Sequence, residues 1–234
     1  MSKKNICIVI PAYNEELAIA DTIVSIRTSL KNTSFGYEIV VINDGSTDET
    51  AARAYDQHVT VISHILNSGA GSATATGLRY AELNKFDIAA TMDADGQHAA
   101  NDVVRGIKKL EKEKYDLLIG SRLVKNNGMS RVKVLGNKGL SFITSLLFGI
   151  NVTDSQSGLR VFSRHALNNL KWKTSGYEFC SEMLWRAHQI NLSVGEYPIK
   201  AIYTEYSISK GQNNWNAVHI IRSLVSRRIV ELFE

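Results

Sequence analysis

Short apolar runs recur along the first half of the chain, each giving way to a polar loop and then to a stretch with helical spacing. Asn5 to Ile10 (Asn-Ile-Cys-Ile-Val-Ile) has no polar alternation, which predicts a strand covered on both faces, as in a parallel sheet. After Pro11-Ala-Tyr-Asn-Glu-Glu16 the pattern predicts a helix capped by Asn14, with Glu15 and Glu16 favouring its N-terminal dipole and Leu17, Ala20, Val24 and Leu30 on its buried stripe. Tyr37 to Ile42 repeats the strand. Ser46 and Glu49 read as a capping box opening the next helix. Val59 to Ile65, Ile88 to Met92 and Tyr115 to Gly120 continue the series, with a helix from about Asn101 to Lys112 that turns Val103, Ile107 and Leu110 inward. Strands alternating with helices over this stretch predict an α/β fold with a mostly parallel sheet.

Beyond Arg122 the rhythm changes. Residues 125–135 read as a flexible basic loop and Gly136 to Gly149 as an amphipathic or apolar helix. A helix from about Glu178 to Asn191, a strand near Val194 to Tyr203, a polar loop from Tyr206 to Asn214 and a basic amphipathic helix over 211–234 follow. That last helix suits a membrane surface or packing on the domain. The small residues from Asn67 to Gly77 miss the dinucleotide fingerprint, because Thr74 stands where a third glycine is required. They predict close helix–sheet packing.

Composition narrows the class. The 234 residues are 44 % hydrophobic and 21 % charged, enough for a substantial core. The expected division is one catalytic domain over 1–210, with halves 1–122 and 123–210, and an appendage over 211–234. Cys7 and Cys180 form neither a disulfide framework nor a metal pattern, which fits a reducing compartment. After Met1-Ser-Lys-Lys-Asn5 only five apolar residues, Ile6 to Ile10, precede Pro11, too few for a signal-peptide core. The longest apolar segment, Leu140 to Val152, falls short of the roughly 17–25 residues a spanning helix needs. A soluble or peripheral protein is expected. The net charge is +4, and no acidic residue lies between Asp116 and Asp154, where Arg122, Lys125, Arg131, Lys133 and Lys138 cluster. Such a stretch attracts phosphates or an anionic surface.

The candidate chemistry centres on Asp93-Ala-Asp95-Gly-Gln97-His98, at the end of an apolar strand where ligands of α/β sheets bind. Two hard carboxylates there suit Mg²⁺ or Mn²⁺, whose open positions can take phosphate oxygens and neutralise a departing diphosphate. The other reading is that Asp93 or Asp95 caps the helix starting near Asn101.

Taken together, Pro11-Ala-Tyr-Asn-Glu15, Asn43-Asp-Gly-Ser-Thr-Asp48, Asp93-Ala-Asp-Gly-Gln-His98, Gly120-Ser-Arg122 and Asp154-Ser-Gln-Ser-Gly-Leu-Arg160 resemble the family 2 inverting glycosyltransferases of GT-A fold, over about residues 5–210. Within that family the chain is most similar to the polyprenyl-phosphate glycosyltransferases, typified by dolichyl-phosphate mannose synthase. The resemblance implies that Pro11, Tyr13, Glu15 and Asp44 hold the nucleoside, with Asp93 near ribose and metal and Asp95 and Gln97 completing the metal site. It further implies that Arg122, with Arg131 or Lys133 and with Ser157 and Arg160, grips an acceptor phosphate, and that Lys210 approaches the donor diphosphate. Asn43 replaces a common aspartate and Leu159 a usual aromatic.

A phosphate monoester is already ionised near neutral pH and needs positioning cations rather than a general base. A sugar hydroxyl would need a carboxylate, for which Glu182 is the candidate. Arg160 would touch substrate or pair with Asp154. The expected partners are a nucleoside diphosphate sugar (UDP or GDP), a polyprenyl phosphate and the cytoplasmic membrane face, with a small membrane subunit as a further candidate and no nucleic acid. The rival from another class is a non-catalytic nucleotide-sugar-binding protein.

Overall fold

A computed structural model describes residues 4–123, 131–149 and 152–202. Its elements are β1 (Asn5–Ala12), α1 (Ile19–Leu30), β2 (Gly36–Asn43), α2 (Thr50–Asp56), β3 (Thr60–Ser63), α3 (Ala70–Leu83), β4 (Ile88–Thr91), α4 (Ala100–Glu113), β5 (Leu117–Ser121), α5 (Arg131–Phe148), β6 (Arg160–Ser163), α6 (Arg164–Asn169), α7 (Phe179–Gln189) and β7 (Val194–Pro198). They form one seven-stranded sheet in the order β3-β2-β1-β4-β6-β5-β7. Only β6 runs against its neighbours, β4 and β5.

The all-apolar strands are buried on both faces. Cys7 and Val9 of β1 point into a core shared with α3, α6 and α7, while Ile6, Ile8 and Ile10 point into one shared with α1 and α4. Each fully buried side chain of this size contributes about 1.5–3 kcal/mol relative to exposure. The small residues of α3 are there for packing: a Cβ on Gly77 would lie 2.1 Å from Val9 Cγ1.

Several local expectations fail for identifiable reasons. Asn14 does not cap α1; it adopts a left-handed φ of 54°, and Glu15 O accepts the N–H groups of Ala18 and Ile19, so the helix begins only at Ile19. Its buried stripe is Ile19, Thr22, Ile23, Ile26 and Leu30, whereas Leu17 and Val24 are 66 % and 47 % exposed. The isoleucine-rich stripe removes more apolar area from water and wins. The Ser46–Glu49 capping box is not formed, since α2 starts at Thr50 without a side-chain cap and Ser46 Oγ instead accepts the Asn14 N–H. α5 begins at Arg131, inside the stretch expected to be loop. β7 ends at Pro198, after which Ala201 forms an isolated bridge with His98. β6 and α6 were not expected at all. No helix among the described residues is long and apolar enough to cross a membrane.

The topology gathers the motifs. The C-terminal ends of β1, β2, β4 and β5 share one sheet edge, and because β6 is antiparallel, its beginning reaches that edge too. Asp154 to Arg160 therefore arrives beside Asp93 and Arg122 from the opposite chain direction.

Candidate active site

Two interlocked loops form one wall. Asn14 N donates to Ser46 Oγ (2.9 Å), Thr47 N to Asn14 Oδ1 (2.9 Å), Glu15 N to Thr50 Oγ1 (2.7 Å) and Glu49 N to Glu16 Oε2 (3.1 Å). The clasp fixes the segment carrying Pro11, Tyr13 and Glu15, and Tyr13 stands 44 % exposed at its tip. Asp44 is buried. Its Oδ1 accepts from Ser68 N and lies 2.7 Å from His64 Nδ1, while Oδ2 accepts from Gly69 N. Asp44 thus shapes the 64–69 loop, a task the sequence did not announce.

The Asp93-Ala-Asp95-Gly-Gln97-His98 segment follows β4. α4 is capped by Ala99 without a side-chain bond, so neither Asp93 nor Asp95 serves as its cap. His98 is buried, with Nε2 3.2 Å from Asp93 Oδ2. Gly158 lies against the same carboxylate, where a Cβ would come within 2.2 Å of both its oxygens. Gly158 O in turn accepts from Thr91 Oγ1. Asp93 is half exposed yet hemmed in by protein, which opposes its ionisation; the His98 ring and the Arg122 and Arg160 guanidiniums outweigh this and hold its carboxyl below the usual range. Asp95 goes the other way: burial and then the Asp93 charge push it up to about 6, against the pull of the Gln97 N–H and His98. Two crowded carboxylates with opposed pKa values fit a hard cation. Among the described residues no group of three or more His, Cys, Asp or Glu could hold a metal, so any cation here would complete its shell with other oxygens. Gln97 is brought to Asp95, but as a donor, from N to Oδ1 (2.9 Å) and from Nε2 to Oδ2 (2.6 Å).

On the other side Asp154, fully buried, takes Arg122 Nε at 2.7 Å, Nη2 at 2.8 Å and the backbone N at 3.0 Å. The ion pair considered for Arg160 therefore belongs to Arg122. Arg160 is itself buried, donating to Ser157 O, Ser155 O, Cys180 O and Met183 Sδ. It holds the 155–158 loop from beneath. Ser157 is also buried, and its Oγ has no hydrogen-bond partner among the described residues. Glu182, the candidate base, is sealed in: it accepts from Lys173 N (3.0 Å), Thr174 N (2.8 Å) and Thr174 Oγ1 (2.6 Å). Arg131 and Lys133 sit in the first turns of α5. Lys210, the 125–130 loop and the helix expected over 211–234 lie outside the described residues.

Residues 7–171 match the sequence pattern of glycosyl transferase family 2. The chain belongs to that family. This transferase is 43 % identical to an uncharacterised protein of Methanocaldococcus jannaschii, over 98 % of its own length and 94 % of that protein's. It is 41 % identical to the UDP-N-acetylglucosamine–dolichyl-phosphate N-acetylglucosaminyltransferase of Methanococcus voltae, over 91 % and 92 % of the two chains. Among solved structures, the transferase shares its fold with glucosyl-3-phosphoglycerate synthase from Mycobacterium tuberculosis in complex with Mn²⁺, UDP-glucose and phosphoglyceric acid, at a TM-score of 0.74 and 22 % identity, covering 96 % of this chain and 80 % of that one.

Proposed function

We propose that this transferase moves a sugar from a UDP-sugar, with UDP-N-acetylglucosamine as the first candidate, to the phosphate of a polyprenyl phosphate. The donor and acceptor classes are those named for the Methanococcus relative, and a second relative, at 27 % identity, is an undecaprenyl-phosphate mannosyltransferase of Micrococcus luteus. The observation that carries the reading is the state of Glu182. With its carboxylate taken by the Lys173 and Thr174 donors, it is not placed to deprotonate a hydroxyl, whereas a phosphate acceptor needs no base.

The residues divide the work. The clasped loops at Tyr13 and Glu15, with the loop shaped by Asp44, would hold the nucleoside. Asp93 and Asp95 would hold Mn²⁺ or Mg²⁺, which supplies neutralisation of the diphosphate leaving group; Gln97 would steady Asp95. Arg122, its guanidinium fixed by Asp154, would place the acceptor phosphate for in-line attack, with Arg131 or Lys133 as the second cation and Lys210 on the donor diphosphate.

The acceptor's tail and the membrane would meet α5. On this helix Ser141 and Thr144 are buried, with Thr144 Oγ1 2.9 Å from Ser181 Oγ, while Leu135 and Phe142 are 75 % and 68 % exposed beside an exposed Lys138. Beside it a cavity of about 330 Å³ is lined by Leu123, Phe142 and Val152 together with Lys138, Ser141, Ser145 and Thr153, next to the Arg122–Asp154 pair. Exposed Leu135 and Phe142 beside an exposed lysine suit a helix lying at the cytoplasmic membrane surface.

The test is transfer from labelled UDP-N-acetylglucosamine, with Mn²⁺, to a short-chain polyprenyl phosphate offered beside soluble glycans. Label in a mild-acid-labile lipid supports the reading; label entering only the glycans overturns it.

A further inference from the structure

We infer that Glu196 of β7 is a positioning residue for the acceptor site, acting through Asp154 on Arg122. The inference rests on Arg122 gripping the acceptor phosphate. Glu196 pairs in register with Ile119 of β5, and its carboxylate is spent on one short loop. Oε1 accepts from Thr153 N (3.0 Å), Thr153 Oγ1 (3.0 Å) and Asp154 N (3.1 Å), and Oε2 from Thr153 N (2.9 Å). Thr153 Oγ1 also lies 2.7 Å from Ser121 Oγ, which accepts the Leu123 N–H. Arg122 is thereby bracketed. Its own N–H and guanidinium go to Asp154, the residues on either side of it are tied through Ser121 to Thr153, and Glu196 fixes Thr153 and Asp154 together.

The physical need is plain. A guanidinium that must meet an incoming phosphate cannot be held by a carboxylate that itself wanders, and displacements near 1 Å can cost about a hundredfold in rate. Residues 152–154 have no helix or strand ladder of their own. A carboxylate accepting backbone N–H groups supplies the missing restraint, with charge-assisted bonds stronger than neutral ones.

The experiment is calorimetric binding, on the full chain with Mn²⁺, of UDP and separately of a short-chain polyprenyl phosphate. Glu196→Ala should weaken the polyprenyl phosphate about tenfold, as expected for losing charge-assisted bonds, and leave UDP within about twofold. Glu196→Gln, which keeps an acceptor oxygen, should recover most of the loss. In an Arg122→Ala background Glu196→Ala should add little, because residues acting as one unit are not additive. Equal weakening of both ligands, full additivity with Arg122→Ala, or unchanged acceptor affinity where Arg122→Ala alone weakens it would overturn the inference. An Arg122→Ala variant that binds acceptor normally would instead remove Arg122 from the acceptor site, a separate failure. If Glu196→Ala does not fold, Thr153→Val, which deletes one donor to Glu196, should weaken the acceptor alone by a smaller factor; no selective effect on the acceptor overturns the proposal.

Discussion

Asp154 binds Arg122 three times, through Nε, Nη2 and the backbone N–H, at 2.7, 2.8 and 3.0 Å. Burial opposes the ionisation of Asp154, but the charge and hydrogen bonds of Arg122 more than reverse it and hold the carboxyl below the usual range. A lowered folded pKa means stability that is fully present above the unfolded value, about 3.9, and lost as pH falls through the folded one. Asp154→Asn should cost about 3 kcal/mol at neutral pH and flatten the acid limb of a urea-midpoint-against-pH curve. An unchanged acid limb would show that the pair is not linked to folding.

Asp95, pushed up to about 6 in the metal-free protein, must lose its proton to hold a cation. Apparent Mn²⁺ affinity should therefore be level above that pH and fall about tenfold per unit below it. Asp93, held low, contributes no step in that range. Calorimetry of Mn²⁺ with UDP between pH 5 and 8 (about these limits, chosen to bracket the Asp95 step) checks this, and Asp95→Ala should abolish metal-dependent donor binding.

Gly158 is the one residue type that fits against Asp93. Its Cβ in Gly158→Ala would sit 2.2 Å from both carboxylate oxygens, so the carboxylate must turn away. The variant should fold, since the displaced group is a half-exposed side-chain tip, and should lose about tenfold in Mn²⁺ affinity. Wild-type affinity would mean that Asp93 does not bind the metal.

Glu182→Gln separates structure from chemistry. If Glu182 were a general base, its loss would cost about 10²–10⁴ in turnover. As a buried acceptor of three donors it should instead cost about 1–3 kcal/mol of stability, seen in the urea midpoint, with turnover nearly unchanged at a temperature where the variant is folded.

Phe142→Ser removes exposed apolar area and should leave stability within about 0.5 kcal/mol. Sedimentation with vesicles containing anionic lipid should show weaker binding than the unaltered chain; equal sedimentation would take α5 out of the membrane contact.

The parallel half of the fold was legible because strands covered on both faces leave an unbroken apolar signature, as Ile6 to Ile10 and Ile39 to Ile42 do. The short antiparallel β6 was not, because it opens with Arg160, and a charged residue argues against a buried strand until its guanidinium is seen among the carbonyls of Ser155, Ser157 and Cys180. Asp93 and Asp95 were legible as a pair of neighbouring carboxylates at a strand end, though spacing alone left open whether one of them capped α4, which the structure shows neither does. The burial of Glu182 was not legible, because its backbone partners at Lys173 and Thr174 come from a loop that carries no pattern. The Ser46 hydroxyl, suited by sequence to cap α2, is claimed by Asn14 across the loop clasp, a tertiary contact overriding a local preference. His64 had no signal at all, and Glu196, two residues before Pro198, reads by sequence only as ordering a strand end; each matters through what the fold sets beside it.

The place of β6 has a consequence for how the chain reaches its native state. Because β6 lies between β4 and β5, β5 has no partner on the growing sheet until residues 160–163 arrive, and its other neighbour, β7, comes later still. A nascent or truncated chain ending near residue 122 would carry the Tyr13 and Asp44 loops on an incomplete sheet, with β5 and the unpaired edge of β4 exposed to self-association. Late, long-range pairings of this kind slow folding. The stretches before and after residue 122 are therefore not modules that can be cut apart or exchanged, since the sheet of the first is complete only when β6 of the second has been threaded between its strands.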